Sequence, residues 1–146
     1  MNYCDFCDPE VLKKQKIYEN DYVIAIYPNK PAIYHHFILF PKIHRHVITK
    51  MTSKEIIAIK DVIEKMFIIL KQSNNCFGYN ITSNNGCPQV GQTVPHCHVH
   101  VFFRFKDEKV SPFKVMNDKT LREKLTEKDW AKRKKEFLRL FTGNAV

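Results

Sequence analysis

Two hydrophobic rhythms alternate along the 146-residue chain. Residues 15–19 (QKIYE) and 22–27 (YVIAIY) are short runs rich in β-branched and aromatic residues. With Asn20-Asp21 between them they read as a hairpin, and Pro28-Asn29-Lys30-Pro31 ends the second strand. Phe37–Phe40, with His36 leading in, reads as a third strand stopped at Pro41. The period then lengthens. Ile56, Ile59, Ile63, Met66, Phe67 and Leu70 recur at steps of three and four, which predicts one apolar stripe on a helix ending near Ser73-Asn74-Asn75. Thr52-Ser53-Lys54-Glu55 has the spacing of a capping box at its start. Phe77–Ser83 reads as a fourth strand, Asn84-Asn85-Gly86 as a turn, and the stretch beginning at His96 as a fifth strand. From Thr120 to Phe141 the pattern is again helical, with Leu121, Leu125, Trp130, Phe137, Leu138 and Phe141 as intermittent apolar contacts. Strands with one long helix crossing between them predict an α+β domain with a mostly antiparallel sheet. No internal repeat or linker divides residues 1–146. The expectation is a single domain with its core over about 3–105 and a basic helical segment over about 118–142.

Charge adds one feature. The net charge is +9, with 24 basic and 15 acidic residues. Residues 104–146 hold thirteen of the basic and seven of the acidic ones. A basic surface favours polyanions such as nucleotides or nucleic acid. The run Lys132-Arg133-Lys134-Lys135 reads better as a solvated helix face than as a binding motif, so nucleic acid is the less favoured partner. No apolar run approaches the roughly 20 residues of a membrane span, and the polar, acidic start MNYCDFCDPE does not resemble a signal peptide. A cytoplasmic location is expected. The five cysteines are odd in number and without secretory context, which argues against a disulfide framework. Cys4-Asp5-Phe6-Cys7 is a C-x-x-C with no strand before it, so zinc leads over redox chemistry. Cys76, Cys87 and Cys97 have no partners by spacing.

The stretch His96-Cys97-His98-Val99-His100-Val101-Phe102 carries the chemistry. On a strand, alternate side chains share a face, so the three imidazoles point the same way and Cys97 points into the core. A row of imidazoles can ligate a metal, attack a phosphorus atom or switch with pH. A neutral imidazole is better suited than a carboxylate to attack a phosphorus shielded by anionic oxygens.

This stretch, preceded by Gly91-Gln92-Thr93-Val94, resembles the His-φ-His-φ-His-φ-φ signature of the histidine triad (HIT) family, where φ is apolar. His36-Phe37-Ile38-Leu39-Phe40-Pro41-Lys42-Ile43-His44 is similar to that family's upstream signature, with His35 in place of its glycine. The resemblance covers about residues 3–105. It implies a five-stranded antiparallel sheet with two main helices, a homodimer, and a nucleotide hydrolase or nucleotidyl transferase. Such an enzyme acts at the α-phosphate of adenosine nucleotides, either dinucleoside polyphosphates or nucleoside phosphoramidates. By position it implies His98 as nucleophile, His100 as a phosphate contact and His36 as the residue that orients them. Asn84, Gln92 and Thr93 match positions that hydrogen-bond phosphate oxygens, and Asn29 matches the region that binds the ribose. Zinc-containing members use an N-terminal C-x-x-C, a histidine after the upstream strand and the first triad histidine. These map to Cys4, Cys7, His44 and His96, a structural Zn2+ site. Two alternatives stay open: a DNA deadenylase of the aprataxin type, although every cysteine lies at or before Cys97, and a non-catalytic nucleotide-binding regulator or zinc module whose triad histidines all serve metal.

Overall fold

Lys16–Glu19 (β1), Val23–Ile26 (β2), His36–Pro41 (β3), Cys76–Thr82 (β4) and Val99–Phe105 (β5) form one five-stranded sheet in a computed structural model that describes residues 3–143. The order is β1-β2-β3-β5-β4 and every pairing is antiparallel. The fold is therefore α+β, as the alternating rhythms predict. At the first hairpin Asn20 Oδ1 accepts the Tyr22 and Val23 backbone N–H groups at 2.9 and 2.8 Å, a turn made by the side chain of the residue that signals it.

Among the described residues four α-helices accompany the sheet: Pro9–Gln15 (α1), Ser53–Asn74 (α2), Pro112–Asn117 (α3) and Glu127–Thr142 (α4). The capping box of α2 is formed in both directions between Thr52 and Glu55, and Asn75 closes the helix in the left-handed region with φ 59°. Strand alternation splits the sheet into two faces. One face presents Phe37, Leu39, Val99, Val101 and Phe103 to Ile59, Val62, Ile63, Met66 and Leu70 of α2 and to Trp130, Phe137 and Phe141 of α4. Phe37 meets the rings of Phe137 and Phe141 edge-on, at centroid distances of 4.8 and 5.4 Å. Cys97 is buried in the same core. The opposite face presents His36, Ile38 and Phe40 from β3 beside His100 and Phe102 from β5, and it carries the site.

Several boundaries differ from the sequence reading. α1 and α3 were not expected. Each starts on a polar cap followed by proline, Asp8-Pro9 and Ser111-Pro112, whose side chains accept the Glu10 and Lys114 N–H groups. β1 accordingly starts at Lys16, not Gln15. The C-terminal helix begins at Glu127, capped by Thr126; Lys119–Leu121 is a separate 3-10 turn. Ile56, assigned to the buried stripe of α2, is 48% exposed, and the helix buries Ala58 and Val62 instead. Only His100 of the three triad histidines lies within β5. Pairing with β3 ends at Leu39↔Val99, and upstream of it the Cys97 N–H turns to the Arg45 carbonyl in the following loop.

Candidate active site and metal centre

His96 lies upstream of β5 and faces the N-terminal segment. Its Nε2 sits 2.7 Å from the Pro41 carbonyl, which can only accept, so the proton is on Nε2 and the Nδ1 lone pair is free. That lone pair faces Cys4 Sγ and Cys7 Sγ, both at 3.6 Å, and His44 Nδ1 lies 3.4 Å from Cys7 Sγ. The four ligand atoms of Cys4, Cys7, His44 and His96 all lie within 4.8 Å of one another and could hold a metal ion. With Zn–S near 2.3 Å and Zn–N near 2.0–2.1 Å, a tetrahedron has an S–N edge of about 3.6 Å. The observed S–N separations fit that edge. The 3-10 turn Asp5–Cys7 brings the two thiols together. The His44 loop is fixed by its neighbour: Arg45 donates from Nη2 to Glu55 at 2.9 Å and from Nε at 3.2 and 3.3 Å.

The same turn delivers Phe6, which stacks on Phe40 at 4.3 Å and sets its edge against the His98 ring at 5.1 Å. His98 is buried, and its Nδ1 lies 2.7 Å from the His96 carbonyl. The proton is thus on Nδ1 and the Nε2 lone pair is free. His36 is fully buried. Its Nδ1 accepts the Ala32 N–H at 3.1 Å, so its Nε2 carries the proton and donates to His100 Nδ1 at 2.9 Å. His100 then carries its proton on Nε2. A chain of backbone and ring hydrogen bonds sets the tautomer of each imidazole. Burial lowers the pKa of all four rings: His36 well below 6.5, His96 to about 4, His98 below 6.5 and His100 to about 3, the last helped by His98 and Arg122. Burial thus favours the uncharged form of each ring.

His98 and His100 open onto a pocket of about 340 Å³, lined also by Asn84, Thr93, Phe6, Ile38, Lys119 and Arg122. A smaller hollow of about 240 Å³ adjoins it and shares Phe6, Ile38 and Val94; Asn29 and Asp5 lie there. The structure thus gathers His98, His100, Asn84 and Thr93 at one pocket, with His36 behind His100. Gln92 is placed elsewhere. It is buried, its Oε1 accepts the Gly86 N–H at 2.6 Å and its Nε2 donates to the His46 carbonyl at 2.7 Å. Both ends of the amide hold the loop, and neither faces the pocket. Gly91 beside it has φ 96°, a backbone conformation that residues with a Cβ rarely adopt. The three triad histidines do not converge on one metal: His96 turns to the thiols, His98 and His100 to the pocket.

Sequence reasoning missed Arg122 and Lys119. They lie beyond the triad signature in a segment that carries no motif. Phe6 was hidden as a spacer inside the C-x-x-C.

The HIT domain model matches residues 10–107. The chain belongs to the HIT family. It is 33% identical over 111 residues to an uncharacterized HIT-like protein of Borreliella burgdorferi, covering 72% of this chain and 78% of that one. It is 30% identical over 126 residues to an uncharacterized HIT-like protein of Methanocaldococcus jannaschii, covering 86% and 95%. Among solved structures, a Zn-bound histidine triad protein of Mycobacterium smegmatis superposes with a TM-score of 0.64 at 22% identity, covering 88% of this chain and 86% of that one. The diadenosine triphosphate hydrolase of Plasmodium falciparum superposes with a TM-score of 0.65 at 20% identity, covering 90% and 76%. Among the described residues no helix is long and apolar enough to cross a membrane.

Proposed function

We propose that the protein is a hydrolase of adenosine nucleotides that cleaves at the α-phosphate through a nucleotidyl-histidine formed on His98. The observation that carries this reading is the tautomer of His98. Its Nδ1–H is bound to the His96 carbonyl, which leaves an uncharged Nε2 lone pair for phosphorus. In the first step Nε2 bonds to the α-phosphorus while the bond to the leaving group breaks. Water then cleaves the N–P bond. His100 offers its Nε2–H, and Asn84 and Thr93 offer amide and hydroxyl donors, to oxygens on which charge grows. His36 fixes the ring of His100. Asn29 borders the adjoining hollow, where the nucleoside is placed. Adenosine as the nucleoside rests on the family and on the diadenosine triphosphate hydrolase among the structural neighbours.

Protonation would place a charge on a buried ring, so burial holds the His98 pKa below 6.5. The nucleophile is competent above that pKa and lost as pH falls through it. Hydrolysis should therefore keep more than half of its plateau kcat/KM at pH 6.5, with an acid limb centred below that pH. A limb centred at or above 6.5 would exclude His98 as the titrating group.

Zinc is the metal proposed for Cys4, Cys7, His44 and His96. Two thiolates and two imidazoles complete a closed tetrahedron that leaves no coordination position for catalysis, so its part is to hold Phe6 and the His96–His98 segment in place.

A second copy of the chain is the proposed partner for the exposed edge. β4 ends the sheet, with Phe77, Tyr79 and Ile81 exposed, and an apolar groove of about 460 Å³ runs between it and Ile56, Ile59, Ile63 and Phe67 of α2. Patches of this kind on an edge strand are commonly covered. Solution mass at micromolar concentration should be that of a dimer; a strict monomer would refute the pairing.

A further inference from the structure

Arg122 lies outside the residues that the family model matches, yet it reaches the triad pocket. Its backbone is anchored next door: the Glu123 N–H donates to the Pro31 carbonyl at 2.9 Å, and the Glu123 carboxylate pairs with Arg133 at 2.9 Å. The guanidinium itself has only neutral partners. Nη1 lies 3.3 Å from the Lys30 carbonyl and 3.3 Å from His36 Nδ1. Among the described residues no carboxylate lies within ion-pair distance of it. It is half-buried, and burial alone acts on its pKa, downward. A partly desolvated cation without a counter-ion is costly unless an anion completes the site. Lys119 adds a second cation to the same wall, while the carboxylate of Asp118 is turned to the N–H and hydroxyl of Thr120.

We propose that Arg122, assisted by Lys119, is a specificity-determining residue that selects nucleotides whose leaving group is an anionic phosphate chain over those whose leaving group is an amine. This rests on the reading of His98 as nucleophile and deepens it. As the His98 N–P bond forms, the bond from the α-phosphorus to the bridging oxygen breaks. Its electron pair goes to the departing phosphate, whose added charge faces Arg122. An amine leaving group must instead gain a proton and receives nothing from a guanidinium.

The test compares kcat/KM for diadenosine triphosphate and adenosine 5′-phosphoramidate in the wild type, Arg122→Gln and Arg122→Lys. Charge-assisted hydrogen bonds of this kind are worth about one to two orders of magnitude in rate. Arg122→Gln should lower the triphosphate value by roughly 10- to 100-fold and the phosphoramidate value by less than about threefold. Arg122→Lys should fall between. Equal losses on both substrates would overturn the proposal, because Arg122 would then act through His36; so would no loss on either. Inorganic tripolyphosphate adds a readout that needs no variant: it should compete with diadenosine triphosphate in the wild type, more weakly as salt rises. Absence of competition also overturns the proposal. Should the wild type hydrolyse neither nucleotide, the parent reading fails, and calorimetric binding of tripolyphosphate to the wild type against Arg122→Gln decides the anion site by itself, with equal binding counting against it.

Discussion

His98→Ala should lower hydrolysis of diadenosine polyphosphate and adenosine phosphoramidate by about 10⁴-fold or more, the scale seen when a covalent nucleophile is removed. The loss should be the same for both substrates, because each must pass through the same N–P bond. The substitution removes a ring that sits against the edge of Phe6 and donates to the His96 carbonyl. Leaving that carbonyl unpaired costs on the order of 1–3 kcal/mol, within what a domain of this size tolerates. A cooperative thermal melt and an unchanged metal content would separate lost chemistry from lost fold. His36→Ala should cost less, since it frees His100 to adopt the wrong tautomer without removing the nucleophile.

The candidate metal site carries the second large effect. Cys4 and His96 are 92 residues apart in sequence. A metal clip across a loop of that size removes denatured-chain entropy worth about 4.6 kcal/mol on the loop-closure scale used for cross-links. Replacing Cys4 and Cys7 together by Ser should abolish zinc binding and lower Tm by roughly 10 °C, at about 2–4 °C per kcal/mol. Elemental analysis should find one zinc per wild-type chain, and the double change of His98 and His100 to Ala should retain it. Loss of zinc in the latter variant would favour a triad devoted to metal. An unchanged Tm without Cys4 and Cys7 would mean that the aromatic contacts of Phe6 hold the N-terminus unaided.

Much of this arrangement is legible in the residues alone, where local and global signals agree. Thr52 and Glu55 announce α2 and form both halves of its cap. Phe37–Phe40 is a continuous apolar run, and Pro41 is the last residue of β3. The thiols and imidazoles of the metal centre were placed by resemblance to zinc-containing relatives, and they meet in space at separations suited to a tetrahedron. The failures are equally physical. Periodicity assigns His96–His98 to a strand, but pairing with β3 stops at Leu39↔Val99 and the Cys97 N–H goes to the Arg45 carbonyl instead. Gln92 is a polar residue beside a phosphate-binding signature, yet its amide completes the hydrogen bonds of a turn, which sequence order does not reveal. α1 and α3 are too short for periodicity, although Asp8-Pro9 and Ser111-Pro112 mark their starts. Arg122 is one of 24 basic residues; only the fold of the C-terminal segment distinguishes it from a solvated lysine or arginine on α4.

The central claim is that the ring of His98 briefly carries the nucleotide through an N–P bond. Mixtures of enzyme and diadenosine triphosphate quenched in alkaline denaturant, which preserves an N–P bond, then digested and analysed by mass spectrometry at neutral to alkaline pH, test it most directly. The account predicts an adenylyl adduct on the peptide that contains His98, mapped by fragmentation to that residue and missing in His98→Ala. Turnover without any adduct, or an adduct on His100 or His36 in its place, would contradict it.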